Sequence, residues 1–307
     1  MDKRPLILCT DPGIDDFVAL SMVLVKPQFD VLGMIALSGN VRLDVTVNNA
    51  LLACECSDRP DVPVLAGSAK PLARPARTAS NIHGKSGLGE SLELYAKGRP
   101  LEKDGADFII EQAQAYAGRL EILSLGPLTD VALALQKSPE IAEKIACVTV
   151  MGGGIHAGNA TKYAEFNIVA DPEAASVVFS SGVKTVMIGL DATNLCCQPR
   201  SDIELLRAPT KLGTIVPSML TDYSDVYRKI HNIDGMIIHD AISAVYLWRP
   251  ELFTCVPCKM TVCLEAGEHL GQTVPAEGDT CLAATSCDAQ AVRKEILSVM
   301  KQAVQAH

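Results

Sequence analysis

The sequence predicts an α/β fold: a single-domain, open, mostly parallel sheet flanked by helices. Short apolar runs that end in Gly, Asp or Asn alternate with longer segments of helix-forming composition, the signature of strand-helix-strand units. Hydrophobic residues make up 48% of the chain and charged ones 21%, enough for a large core and unlike a disordered composition. Aromatics are only 4%, so Leu, Val, Ile and Ala must fill that core. A chain of 307 residues is routinely one domain in this class, and residues 1–307 are read as one unit.

Pro5-Leu6-Ile7-Leu8 reads as the first strand and the segment from Phe17 to Leu24 as the first helix. Between them, Cys9-Thr10-Asp11-Pro12-Gly13-Ile14-Asp15-Asp16 crowds three carboxylates into one strand-to-helix turn. In an open parallel sheet the ligand crevice lies outside the carboxyl ends of the strands, which puts Asp11 at its rim and Asp15 and Asp16 in the first helical turn. There the helix dipole favours ionised acids. Capping a helix needs one carboxylate, not three. Like charges this close require a cation between them, and an all-oxygen set without a Cys or His ligand pair points to a hard ion, Ca²⁺ or Mg²⁺.

The run from Val31 to Leu37 is a second strand, ending in Ser38-Gly39-Asn40, where Asn40 is either a turn residue or a side chain facing the ligand. Leu43 to Cys56 reads as a helix and Val62 to Leu65 as a short strand. The stretch from there to about Pro100 is too long for an ordinary connection, so it is functional or disordered. Within it, Ile82-His83-Gly84-Lys85-Ser86-Gly87-Leu88-Gly89 is glycine-rich enough to move as a lid. A helix from about Asp104 to Ala117 precedes a strand from Leu120 to Leu125, whose last carbonyl is free to coordinate a cation. Pro127 suits the first position of the next helix.

The strand from Ala146 to Met151 leads into Gly152-Gly153-Gly154, whose spacing and following polar loop do not fit a dinucleotide fingerprint. No nucleotide cofactor is expected. In that loop stand Asn159, Glu165 and Asn167, and the last two face the same way if the segment is extended. One carboxylate and two amides converging on a cavity suit a polyhydroxylated ligand, because each hydroxyl both donates and accepts; a solvated loop is the plainer alternative. Asp171-Pro172 opens a helix, Lys184 to Ile188 adds a strand, and Ile203 to about Lys229 is mostly helical with a break near Pro209. Tyr223 and Tyr227 share one helix face. A turn at Gly235 and an apolar helix after Asp240 put His239 and Asp240 at a helix N-terminus. Strands near Met260 to Leu264 and Thr280 to Ala284, then a helix from Ala289 to about Gln305, complete the chain.

A net charge of −9 without a Lys/Arg-rich block argues against nucleic acid or an anionic membrane surface as partner. The opening residues lack the apolar core and cleavage site of a signal peptide, and no apolar run reaches membrane-spanning length, so a cytoplasmic protein is expected. Eleven cysteines, an odd number with several inside apolar runs, fit buried thiols in a reducing compartment. Cys255 and Cys258, with Cys263 nearby, lack a second pair at ribbon spacing, so a zinc site is not expected.

Taken together, these residues resemble the inosine-uridine type nucleoside N-ribohydrolase family. The matches are the Asp11-Pro12-Gly13-Ile14-Asp15-Asp16 segment, Gly39-Asn40, Ile82-His83-Gly84, Gly126-Pro127-Leu128-Thr129, Met151-Gly152-Gly153, Glu165-Phe166-Asn167 with Asp171-Pro172, and His239-Asp240, in family order. The resemblance implies a Rossmann-like core, a homodimer or homotetramer, and hydrolysis of the N-glycosidic bond of a small-molecule ribonucleoside. It implies a Ca²⁺ held by Asp11, Asp16, the Leu125 carbonyl and Asp240. Asp15, Asn40, Asn159, Glu165, Asn167 and Asp240 are then the ribose ligands, and Asp11 the general base acting on a calcium-bound water. His239, with His83, Tyr223 and Tyr227, serves the leaving base. Cleaving such a bond builds oxocarbenium character on the sugar, which anionic neighbours stabilise.

Two departures stand out. Cys9 occupies the place where the family motif opens with Asp, which predicts weaker calcium affinity or ribose positioning, and Ala241 replaces the Pro that usually follows His-Asp. The single Trp, Trp248, lies beyond Asp240, so a tryptophan-stacked purine pocket is not expected. Having both His83 and His239 points to a pyrimidine-preferring or nonspecific enzyme. The rivals are an aspartyl-nucleophile phosphohydrolase, which needs the carboxylate that Cys9 replaces and gives Glu165 and Asn167 no role, and a catalytically silent ribose-binding homologue, for which Cys9 is the only argument.

Overall fold

The structure, a computed structural model, describes residues 2–306. The first half alternates strand and helix. β1 (Arg4–Thr10), β2 (Phe29–Ala36) and β3 (Val64–Ala66) alternate with α1 (Ile14–Leu24) and α2 (Leu43–Cys56). The long segment after β3 contains one helical turn, α3 (Ser80–His83), and leads to α4 (Gly105–Ala115), which opens on the Asp104 side chain as its cap. Then follow β4 (Leu120–Ser124), α5 (Thr129–Lys137), β5 (Ile145–Met151), α6 (Phe166–Ala170), α7 (Pro172–Ser180) and β6 (Thr185–Ile188).

The second half is less regular. It comprises α8 (Leu190–Thr193), β7 (Cys197–Pro199), α9 (Lys211–His231), β8 (Gly235–Ile237), α10 (His239–Tyr246), β9 (Phe253–Val262), β10 (Thr273–Cys287) and α11 (Ala289–Gln305). Eight strands form one sheet in the order β3-β2-β1-β4-β5-β6-β10-β9, parallel throughout except for β9 at the edge, while β7 and β8 pair separately. One core lies between the sheet and α1, α2, α9, α10 and α11, and a second between the opposite face and α4, α5 and α7. α1 is buried at every residue because helices cover it on the side away from the sheet. The expected open, mostly parallel α/β architecture is therefore present, and the strand order reverses between β1 and β4, where such sheets bind ligands.

Several local expectations are corrected. Pro127 lies ahead of α5, whose N-cap is Leu128, so it shapes the turn and does not start the helix. Gly235 begins β8 and is not a turn; a Cβ there would stand 2.4 Å from the Gln198 carbonyl oxygen, so the close pairing with β7 explains the glycine. The final strands are longer than their apolar runs suggest and form an antiparallel hairpin. At a sheet edge one face meets water, so the pattern thins to residues such as Cys258 and Met260.

Candidate active site

Asp11 follows β1 at the switch point, and its whole side chain is buried. Its Oδ2 accepts the Asn40 backbone N–H at 2.6 Å, and the Asn40 side-chain amide donates to the Asp11 carbonyl at 3.2 Å and to Asp16 Oδ2 at 3.0 Å. Asp16 also accepts from the Thr10 hydroxyl at 2.6 Å and from the Gly13 N–H at 3.0 Å. That last bond reaches back from the third helical position to the cap and closes the first turn of α1. One acid of the three therefore does serve as a cap.

Asp11 and Asp15 each keep one oxygen free. Asp11 Oδ1 and Asp15 Oδ1 are buried without a hydrogen bond. Asp15, Asp16 and Asp240, the last brought in by the N-terminus of α10, each offer an oxygen within 4.8 Å of the others. Of the expected ligands Asp11, Asp16, the Leu125 carbonyl and Asp240, this trio contains Asp16 and Asp240, with Asp15 beside them. Burial first, and then mutual repulsion, pushes Asp11, Asp16 and Asp240 above the usual carboxylate range, and burial pushes Asp15 up to about 6. Three buried carboxylates converging on one point, with unpartnered oxygens on Asp15 and on neighbouring Asp11, are what a hard divalent ion satisfies. The donor set fits such an ion.

Leu125 lies just past β4, and its carbonyl accepts from Asn167 Nδ2 at 2.6 Å. Asn167 Nδ2 also reaches the Met151 carbonyl at 3.1 Å, which ties together the ends of β4, β5 and α6. Glu165 and Asn167 do not share an extended segment. Glu165 is the N-cap of α6: its Oε1 accepts from the Asn167 N–H at 2.9 Å and its Oε2 from Gly153 at 3.0 Å and Ile168 at 3.2 Å. The carboxylate takes up the free N–H groups of a helix start, and that turns the chain helical. Burial raises Glu165 to about 7. Asn159 is exposed and accepts the Phe166 N–H at 2.9 Å, so it braces the loop beside Glu165.

The aromatic side of the site is continuous. His83, at the end of α3, accepts the Ile14 N–H through Nδ1 at 3.2 Å and stacks on Tyr223 with centroids 5.7 Å apart. Tyr223 meets Tyr227 edge-on at 5.0 Å, and the Tyr227 hydroxyl lies 3.3 Å from His239 Nε2. His239 Nδ1 in turn lies 2.8 Å from the Thr193 hydroxyl. Burial pushes both imidazoles down to about 4, leaving them neutral near pH 7. The glycine content of the His83 loop has a local reason: Gly84, Gly87 and Gly89 all take positive φ, and Asn49 holds the loop through Ser86 at 2.8 Å. Trp248 lies elsewhere, bonded to Glu295 and packed on Phe29.

Four further residues shape the site in ways that the sequence alone does not assign. Thr10 and Thr193 orient Asp16 and His239, and Gly39 and Gly126 crowd Asp11 from both sides. Thr193 had only a weak signal, its place just past the end of β6. Cys9 is not among the carboxylates: it is fully buried in the second core, and the nearest acid acting on it is Asp130. Its thiol therefore stands outside the cluster of Asp15, Asp16 and Asp240.

The family model for inosine-uridine preferring nucleoside hydrolase matches residues 6–296. Uridine nucleosidase 1 of Arabidopsis thaliana is 38% identical over 252 residues, covering 81% of this chain and 75% of that protein. The non-specific ribonucleoside hydrolase RihC of Klebsiella pneumoniae is 36% identical over 272 residues, covering 89% and 88%. Among solved structures, the purine-preferring ribonucleoside hydrolase from Gardnerella vaginalis superposes with a TM-score of 0.95 at 28% identity, covering 99% of this chain and 100% of that one. A phosphohydrolase reading has no such support. With an acid cluster at the switch point of the sheet and a family match over almost its whole length, this chain belongs to the inosine-uridine preferring nucleoside hydrolases.

Proposed function

We propose that the chain is a calcium-dependent, pyrimidine-preferring or nonspecific ribonucleoside hydrolase, with residues 1–307 acting as one domain. The reaction of the family is hydrolysis of the N-glycosidic bond of a ribonucleoside, which releases ribose and free base. The observation that carries the reading is the convergence of Asp15, Asp16 and Asp240 beside the unpartnered oxygen of Asp11. Asp11, Asp16, Asp240 and the Leu125 carbonyl would hold the ion, with Asp15 in reach of the same point. A bound Ca²⁺ supplies positive charge that orients and acidifies the attacking water.

The protein's own groups do the rest. Asp11 Oδ1, buried and without a hydrogen-bond partner, takes the water's proton. Asp15, Asn40, Asn159, Glu165, Asn167 and Asp240 bind the ribose. Asn167 has its amide nitrogen committed to two carbonyls, which leaves its oxygen to accept from a hydroxyl. Negative charge around the ring stabilises the oxocarbenium character of the transition state. The departing base needs a proton. A neutral imidazole has one N–H and one lone pair, so His239 can pass a proton between the Thr193 and Tyr227 hydroxyls without becoming cationic. His83 and Tyr223 supply a flat stacked wall suited to a single-ring base.

The uridine-named relative supports the pyrimidine preference. Eleven free thiols support a reducing, cytoplasmic setting. The partly exposed Val256, Val274 and Leu282 of the β9-β10 hairpin support a homodimer or homotetramer. Ribose release from uridine, cytidine, inosine and guanosine, measured with a chelator and after calcium is restored, tests the reading. Turnover of uridine that the chelator abolishes and calcium restores is the expected result; turnover of purine nucleosides alone, or none at all, would overturn it.

A further inference from the structure

Outside the acidic site, one pair of reactive side chains stands apart from the other thiols. Cys196 Sγ and Cys287 Sγ lie 3.3 Å apart although 91 residues separate them in sequence. Cys196 is buried just before β7; Cys287 ends β10 and is partly exposed, so a small solute reaches it first. One contact favours a thiolate at Cys287. The two thiols share a hydrogen bond in which either sulfur can donate, and this contact pulls the pKa of Cys287 down while that of Cys196 rises. Asp288, which follows Cys287, is the cap of the 17-residue α11, and its charge, with burial, works against that thiolate. Arg293, which bonds the Cys197 carbonyl at 3.0 Å, keeps a buried Nε without a partner and acts electrostatically on Cys196.

We propose that Cys196 and Cys287 form an oxidation site for peroxides, and that its closure to a disulfide lowers turnover by displacing the Thr193 hydroxyl from His239. Cys287 first gives up the S–H proton that it donates to the Ala192 carbonyl; its thiolate attacks one peroxide oxygen, the O–O bond breaks, and the leaving hydroxide takes up that proton to become water. The sulfenic acid so formed is then attacked by Cys196 sulfur: the S–S bond forms, the S–O bond breaks, and the Cys196 proton leaves with the hydroxyl as a second water. Two thiols are oxidised and one peroxide is reduced.

The link to the active site is short. A disulfide needs its sulfurs about 2.05 Å apart, so the pair must close by more than an ångström. Cys196 donates its N–H to the Thr193 carbonyl at 3.0 Å, and Cys287 Sγ donates to the Ala192 carbonyl at 3.4 Å. Both contacts fall on the last turn of α8, whose Thr193 hydroxyl lies 2.8 Å from His239 Nδ1. Closure removes the second contact outright and pulls on the first. Thr193 is a positioning residue here, and the thiols act through it.

The inference rests on the nucleoside hydrolase reading only for its effect on turnover. The full-length enzyme is treated with hydrogen peroxide, digested without reduction and mapped by mass spectrometry, with uridine kinetics followed in parallel. A peptide joining Cys196 to Cys287 through the loss of two hydrogens is expected before any other thiol reacts. With it, kcat should fall at least fivefold at little change in KM and recover with dithiothreitol, while Cys287→Ser and Cys196→Ala keep their untreated kcat through the same exposure. Absence of the linked peptide, a linked enzyme with full kcat, or equal inactivation of Cys287→Ser would each overturn the proposal. If untreated enzyme turns over no nucleoside, the functional reading fails while the peptide map still decides the oxidation site.

Discussion

Asp11 Oδ2 is gripped by the backbone N–H of Asn40 at 2.6 Å, while Oδ1 of the same carboxylate is buried with nothing to bond. One oxygen fixes the orientation, and the other is kept free for chemistry. The Asn40 bond comes from a loop at the end of the neighbouring strand, so the two halves of the switch point aim this side chain together.

Asp11→Asn keeps the shape and the Asn40 contact but removes the base. Turnover of uridine should fall by roughly 10²- to 10⁴-fold, the usual contribution of a positioned acid or base. Because burial opposes the Asp11 charge, the variant should be no less thermostable than the parent after treatment with a chelator. Near-normal kcat would remove Asp11 from the mechanism.

Gly39 and Gly126 confine Asp11 sterically. A Cβ on Gly39 would stand 2.0 Å from Asp11 Oδ2, and one on Gly126 would stand 2.4 Å from Oδ1. Gly126→Ala should therefore push the free oxygen off its line, lowering kcat at least tenfold and costing about 1–3 kcal/mol as an overpacked site. The expected circular dichroism spectrum is that of the parent, since neither strand end is distorted. Unchanged kinetics would show that the carboxylate tolerates the shift.

Sequence reading went far with the fold because each parallel strand is an apolar run with a turn at its end. α2 falls on the segment read as a helix, Leu43–Cys56, residue for residue. It was weaker where tertiary contacts decide. The two-residue spacing of Glu165 and Asn167 puts them on one side only if the segment is extended, and the N–H groups of Gly153, Asn167 and Ile168 converging on one carboxylate reveal a helix cap instead. The motif position of Cys9 suggests the acid cluster, but the alternation of β1 sends its thiol into the second core. The crowding of Asp11 by two glycines involves strands far apart in sequence and leaves no periodic trace.

Tyr227→Phe isolates the proton route to the leaving base. The ring and its contact with Tyr223 remain, and the hydroxyl 3.3 Å from His239 is lost. Uridine turnover should drop roughly ten- to a hundredfold, at the low end of the range for acid-base groups. A riboside whose leaving group is a weakly basic nitrophenolate departs without a proton, and its turnover should change less than threefold. Equal losses on both substrates would mean that the hydroxyl serves binding or packing instead.

The acid cluster makes stability depend on pH in a direction that a bound ion reverses. Asp15 is raised to about 6, and Asp11, Asp16 and Asp240 are raised as well, against about 3.9 for an unfolded Asp. The native state thus holds these protons more tightly than the unfolded chain. Their contribution is complete below about pH 4 and is lost as pH rises through the folded values, with Asp15 marking the window near 6. Calcium competes with the same protons, so its stabilisation must grow as they leave. Chelator-treated protein should melt at a lower temperature at pH 8 than at pH 5.5. Calcium at about 100 times its Kd should add roughly 2.7 kcal/mol at pH 8, on the order of 5 °C, and much less at pH 5.5. A calcium-induced shift in melting temperature as large at pH 5.5 as at pH 8 would exclude these carboxylates as the ion's ligands.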